Sequence, residues 1–109
     1  MTVVGSALQE KRLEELGRLA DQTAPGFGVA AFKGIFRYAI EATLREHNLA
    51  KWEDMESKDE PTKRSFSESM LDAASVRMFK LGLSAAQIES VKRSIRENLR
   101  HGAGTEGAQ

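Results

Sequence analysis

The segment that most constrains the fold is a long apolar stretch from about Phe27 to Leu49. At about 100° per residue, its apolar side chains cover more than half of the circumference of a helix. The opposite side is narrow and consists of four polar residues, each four positions after the last: Lys33, Arg37, Glu41 and Arg45. A helix that is apolar over so wide an arc must be covered on two sides. We therefore expect it to be either the central helix of a bundle or part of a dimer interface.

Three other segments repeat their apolar residues with the period of a helix, and no segment alternates like a strand. The first helix is expected from about Ala7 to Asp21, with Ser6 as its N-cap. The third is expected to begin at Ser65, because Ser65 and Glu68 fit the spacing of a capping box. The sequence therefore predicts an all-α fold, a small bundle of four main helices.

A tight corner, Gly82-Leu83-Ser84, is predicted between the last two helices. Glycine at this position can take the left-handed conformation that ends a helix, and serine is a good N-cap for the next one. The corner also fits a helix-turn-helix motif that binds DNA. In that interpretation six residues contact nucleic acid, three at base edges and three at phosphates: Gln87, Ser90 and Arg93, and Lys92, Arg96 and Arg100.

The distribution of charge gives this DNA-binding interpretation mixed support. Residues 63–101 carry eight Lys or Arg against four Asp or Glu, whereas residues 1–62 carry eight against eleven. The formal net charge is nevertheless zero, and Glu89 lies among the residues that would contact DNA. Glycine followed by a serine N-cap is also the ordinary corner between any two helices. DNA binding is therefore the alternative interpretation.

The length of 109 residues predicts one helical domain over residues 1–101, followed by a disordered tail at 102–109 that has nothing to bury. The charged segment 51–64 contains Pro61 and is predicted to be an exposed loop. Trp52 and Met55 are the two residues expected to attach the start of that loop to the core.

The sequence offers no constellation typical of an enzyme. There is no cysteine, and the two histidines, His47 and His101, have no metal-ligand or nucleophile pattern around them. We therefore expect a protein that is not an enzyme and that uses no cofactor and no metal. The N-terminus does not fit a signal peptide, and no apolar run is long enough to span a membrane. We expect a cytoplasmic protein.

Apolar residues outside the predicted core favour an interaction function. Val76 and Phe79 lie off the apolar stripe of the third helix, and grouped exposed apolar side chains mark association surfaces. Phe36 and Ile40, in the broad apolar helix, are expected to pair two copies of the chain. The main hypothesis is therefore a small regulatory or adaptor protein that binds another protein or itself, with a homodimer as the simplest form.

Overall fold

The computed structural model describes the backbone of residues 3–108 and the side chains of residues 3–100. Over that range the chain forms helices and no strand. The helices are α1 Ala7–Thr23, α2 Val29–Glu46, α3 Trp52–Glu56, α4 Glu60–Leu81 and α5 Ala85–Ala108. The predicted all-α bundle of four main helices is confirmed, with the short α3 as an addition. The side chains of the predicted tail at 102–109 lie outside the described residues, so its disorder stays a prediction.

Helix α2 is the central helix of the bundle. It packs against α1 on one side and α4 on the other, and α5 packs against both α1 and α4. The sequence left open whether this helix is the central helix of a bundle or part of a dimer interface. In the structure it is the central helix of a bundle. The predicted limits, Phe27 and Leu49, were too wide at both ends. Gly28 precedes the helix with a φ of 96°, and Asn48 follows it with a φ of 57°, so neither can continue a right-handed helix.

The prediction of a loop over residues 51–64 was wrong, because this segment contains α3 and the first turn of α4. Trp52 and Met55 are buried, as expected. The Trp52 ring meets the ring of Phe66 edge-on at a centroid distance of 5.9 Å. Helix α3 is also tied to α1, since Glu56 accepts hydrogen bonds from Trp52 Nε1 and from Arg12 Nε. A short helix with two buried side chains therefore replaces the expected exposed connector.

Helix α4 begins well before the predicted start. Its N-cap is Asp59, whose carboxylate accepts a hydrogen bond of 3.1 Å from the backbone N–H of Thr62. Ser65 therefore lies inside the helix, and the predicted capping box between Ser65 and Glu68 does not form. The Glu68 carboxylate instead binds Arg96 of α5.

The predicted corner between α4 and α5 is confirmed. Gly82 has a φ of 117°, and its N–H donates to the carbonyl oxygens of Met78 and Phe79. The N–H of Leu83 donates to the Met78 carbonyl at 3.1 Å, which completes a Schellman motif. Met78 and Leu83 are both buried, so the apolar contact that usually accompanies this motif can form beneath the turn.

Candidate interaction surface

Phe36 and Ile40, which the sequence proposed as dimer contacts, are completely buried in the core of the single chain. They lie on α2, which α1 and α4 cover from two sides. Neither side chain has a surface that a partner could touch in this structure. The apolar breadth of α2 is therefore accounted for by the bundle itself.

Val76 and Phe79 lie on the surface of α4. Val76 is 55% exposed and Phe79 is 71% exposed, the highest value among the large apolar residues for which exposure is described. Both share the outward side of the helix with four polar residues. We define the α4 outer face by these six residues: Ser65, Ser69, Asp72, Val76, Phe79 and Lys80.

The helical period explains why Val76 and Phe79 remain outside the core. The inward side of α4 is filled by Phe66, Met70, Leu71, Ala74 and Met78, all buried. Phe79 lies about 100° and Val76 about 160° away from Met78 around the helix, so neither can reach the same side. Leaving a Phe side chain in water forgoes about 1.5–3 kcal/mol of burial.

The exposed ring of Tyr38 belongs to a different part of the surface. Arg77, on the side of α4 that faces α2, places its guanidinium carbon 3.7 Å from the centre of that ring. Such a contact is a cation–π interaction, and it covers one side of the ring. The Tyr38 ring is therefore already in contact with another side chain of the protein, whereas Phe79 and Val76 are not covered in this way.

Charged residues of opposite sign lie on either side of Val76. The Asp72 side chain is 75% exposed, and its only ion pair among the described residues is a long one of 3.7 Å with Lys92. Lys80 lies on the other side, one turn after Val76, and makes no ion pair with any described residue. The α4 outer face thus carries an acidic group, two apolar groups and a basic group in order along the helix.

The first of the predicted DNA-contacting residues is used to cap α5. The side-chain oxygen of Gln87 accepts a 2.8 Å hydrogen bond from the N–H of Ser84, and the Ser84 hydroxyl accepts one of 3.1 Å from the N–H of Gln87. This reciprocal pair is a capping box. The side-chain oxygen of Gln87 is therefore used at the start of the helix.

Two of the predicted phosphate contacts are also paired within the chain. Arg96 donates two hydrogen bonds, of 2.7 and 3.1 Å, to the carboxylate of Glu68 on α4. These hydrogen bonds lower the pKa of the Glu68 carboxyl below its ordinary value. The Lys92 side chain is only 16% exposed and lies 3.7 Å from both Asp72 and Glu89. Both cations therefore already have acidic neighbours within the chain.

The other three predicted DNA contacts differ in their exposure. Ser90 is half-buried on α5, whereas Arg93 and Arg100 are exposed. The structure therefore leaves two exposed arginines, out of the six predicted contacts, that a nucleic acid could reach directly.

A shallow groove between α2 and α4 lies beside the outer face. Its lining consists of Ala42, Thr43, Glu46, Ser69, Asp72 and Ala73. The Thr43 hydroxyl donates to the carbonyl of Ala39, and Thr43 is buried. Within residues 3–100, no three His, Asp or Glu side chains come together in a way that could hold a metal ion.

Comparisons of the chain with protein-family models, with curated proteins and with solved structures found no match. In the part of the chain that the structure describes, no helix has the length and apolar character needed to cross a membrane.

Proposed function

We propose that this protein is a small regulatory or adaptor protein that acts by binding another protein through the α4 outer face. The observation that carries the proposal is the exposure of Val76 and Phe79 beside each other on a chain that buries most of its other large apolar side chains. Large apolar groups clustered on a surface mark binding sites, and aromatic residues contribute strongly at the centres of protein interfaces.

The surroundings of the two residues also suit a protein partner. An interface has an apolar centre and a polar rim, and here Asp72, Ser69 and Lys80 surround Val76 and Phe79. Helix α4 is 22 residues long, so its length is roughly 33 Å at 1.5 Å per residue. Such a helix offers a long surface against which a helix of a partner could pack.

The alternative function, DNA binding through α5, has less support. The capping box uses Gln87, and ion pairs to α4 or within α5 use Lys92 and Arg96. Arg93 and Arg100 remain for phosphates, and few phosphate contacts give weak binding with a shallow dependence on salt. A gel-shift titration at low salt tests this alternative, with Arg93→Ala as the variant that should weaken any complex. Affinity that falls steeply as salt rises would favour DNA binding over our proposal.

The proposed interaction is tested by replacing Phe79 with a charged residue and measuring association with purified partner proteins. We expect Phe79→Asp to abolish binding while the helical signal in circular dichroism stays unchanged. Val4→Asp is the matched control, because Val4 is a large exposed apolar residue (53% exposed) outside the α4 outer face. Partners that bind wild type and both variants equally would contradict the proposal. The expected cytoplasmic location and the expected lack of enzymatic activity stay predictions.

A further inference from the structure

The acidic, apolar and basic side chains of the α4 outer face can pair with those of a second copy of the helix that runs in the opposite direction. We propose that the partner is a second copy of this chain, bound through an antiparallel contact between the two α4 helices. The proposal rests on the proposed function, because it names the molecule that occupies the same surface. Three features of α4 support it: the spacing of the outer residues, the order of the charges and the small size of the neighbouring side chains.

The spacing is that of a helix packed against another helix. Ser65, Ser69, Asp72, Val76 and Phe79 follow one another at intervals of four, three, four and three residues. This alternation keeps a narrow seam on one side of a helix and is the repeat found where two helices pack side by side. In an antiparallel pair, Val76 of each copy can lie level with Phe79 of the other. Four apolar side chains then form the centre of the contact.

The order of the charges favours the antiparallel direction. With Val76 level with Phe79 of the second copy, Lys80 lies about 4.5 Å along the axis from Asp72 of the second copy, which is less than one helical turn. Symmetry repeats this pair on the other side of the centre. In a parallel pair, by contrast, Asp72 would face Asp72 and Lys80 would face Lys80, and like charges at an interface disfavour that arrangement.

The side chains of Asp72 and Lys80 are available for an ion pair between two copies. Lys80 has no ion-pair partner among the described residues, and Asp72 is 75% exposed with only a 3.7 Å ion pair to Lys92. Beyond Asp72 the seam continues with the short side chains of Ser69 and Ser65, which leave room for the turn after Phe79 of the second copy. The formal net charge of zero also means that two copies do not repel each other at long range.

Analytical ultracentrifugation over a range of protein concentrations tests the proposal with variants that reverse one charge at a time. In a homodimer of Asp72→Lys, two lysines face each other at each end of the contact, and in a homodimer of Lys80→Asp two aspartates do so. We expect each variant alone to weaken self-association about tenfold, since two exposed ion pairs become two repulsive pairs. In an equimolar mixture, a dimer that contains one chain of each variant has a like-charged pair at neither end. It carries two lysines on one chain and two aspartates on the other, so its affinity should return to the wild-type level.

The control is a charge reversal of the same kind away from α4. Glu97→Lys on α5 and Lys11→Glu on α1 change exposed residues, and neither variant should alter self-association, alone or mixed. A wild-type chain that remains monomeric at every concentration would overturn the inference. So would a mixture of Asp72→Lys and Lys80→Asp that associates no better than either alone. If such a monomeric chain still binds a different purified protein in a Phe79-dependent way, the proposed function holds and only the identity of the partner is wrong.

Discussion

At the scale of single residues, the most unusual position is Gln9 in the first turns of α1. Its side chain is completely buried, and neither its amide nitrogen nor its amide oxygen has a hydrogen-bond partner among the described groups. A buried amide without partners loses its bonds to water and gains none in return, at a cost of about 1–3 kcal/mol. Gln9 is thus a polar residue at a position whose environment favours an apolar one.

Replacing this amide with an apolar group of similar shape should stabilise the protein. We expect Gln9→Met to raise the free energy of unfolding by roughly 1–2 kcal/mol, because the buried polar atoms are removed with little change in volume. Urea unfolding followed by circular dichroism measures the change. Gln22→Met is the matched control, since Gln22 is exposed on the same helix, and it should have almost no effect. A loss of stability in Gln9→Met would mean that the amide has a bonding partner.

The glycines illustrate what the sequence could not predict at this scale. Gly34 lies within the broad apolar helix α2, yet a Cβ added there would meet no atom within 4 Å. The close approach lies at Gly17 of α1, where an added Cβ would come within 3.2 Å of the Val29 carbonyl oxygen. Both glycines lie inside helices. Which of them lies at a crossing depends on packing between helices that are distant in the sequence.

At the scale of elements, the packing of α5 on α4 includes an ion pair that spans the two helices. Arg96 binds Glu68 through two hydrogen bonds, and Lys92 lies near Asp72 one turn away. The local sequence predicts instead that Glu68 caps the start of its own helix with Ser65. That pattern is a genuine capping signal, but it could not reveal that an arginine 28 residues later would bind the same carboxylate.

This ion pair makes the stability of the protein depend on pH in the acidic range. The pKa of Glu68 is lowered below its ordinary value of 4.5 by hydrogen bonds from Arg96. The unfolded chain therefore takes up the proton at a higher pH than the folded chain does, and the contribution of the pair is present above pH 4.5. It is lost as the pH falls through the lower pKa of the folded protein. We expect Glu68→Gln to reduce the loss of stability on acidification below pH 4.5.

Denaturant unfolding at a series of pH values between about 3 and 7 measures this dependence. Arg96→Gln should reduce the acidic slope to a similar extent, because it removes the cause of the lowered pKa. The double variant should then add little to either single one, as expected for two residues that act through one interaction. Independent, additive effects of the two substitutions on the slope would show that the ion pair is not the origin of the dependence.

The start of α4 and the corner after it show which boundaries a sequence can reveal. The corner at Gly82 and Ser84 was predicted correctly, because glycine and serine satisfy the backbone groups of these turns themselves. The start at Asp59 was missed, although Asp59 followed by Pro61 in the first turn is also a local signal for a helix. The many charges around it suggested a solvated loop. Burial of Trp52 and Phe66, a tertiary effect, organises that region.

At the scale of the whole molecule, the phenylalanines separate the core from the surface. Phe32, Phe36 and Phe66 are buried, whereas Phe79 is exposed. Periodicity predicted the position of Phe79 outside the apolar stripe of α4. It could not show whether the wide apolar side of α2 faces a second chain or the same one, since both arrangements bury the same residues. The structure places Phe36 within the single chain, and Phe79 is then the exposed phenylalanine that is left for association.

Phe36→Ala should therefore lower stability without changing association, whereas Phe79→Ala should remove association with little change in stability. Phe36→Ala leaves a cavity in the middle of the bundle, and we expect it to lower the free energy of unfolding by about 3–5 kcal/mol at every protein concentration. Phe79→Ala should change stability by less than about 0.5 kcal/mol at concentrations where the chains are separate, as is usual for a surface substitution. Thermal unfolding over a roughly hundredfold range of concentration distinguishes the two, because association stabilises the folded chain by mass action and the wild-type midpoint should rise with concentration. That rise should disappear in Phe79→Ala and persist in Phe36→Ala, and the reverse pattern would mean that α2, rather than α4, joins the two copies.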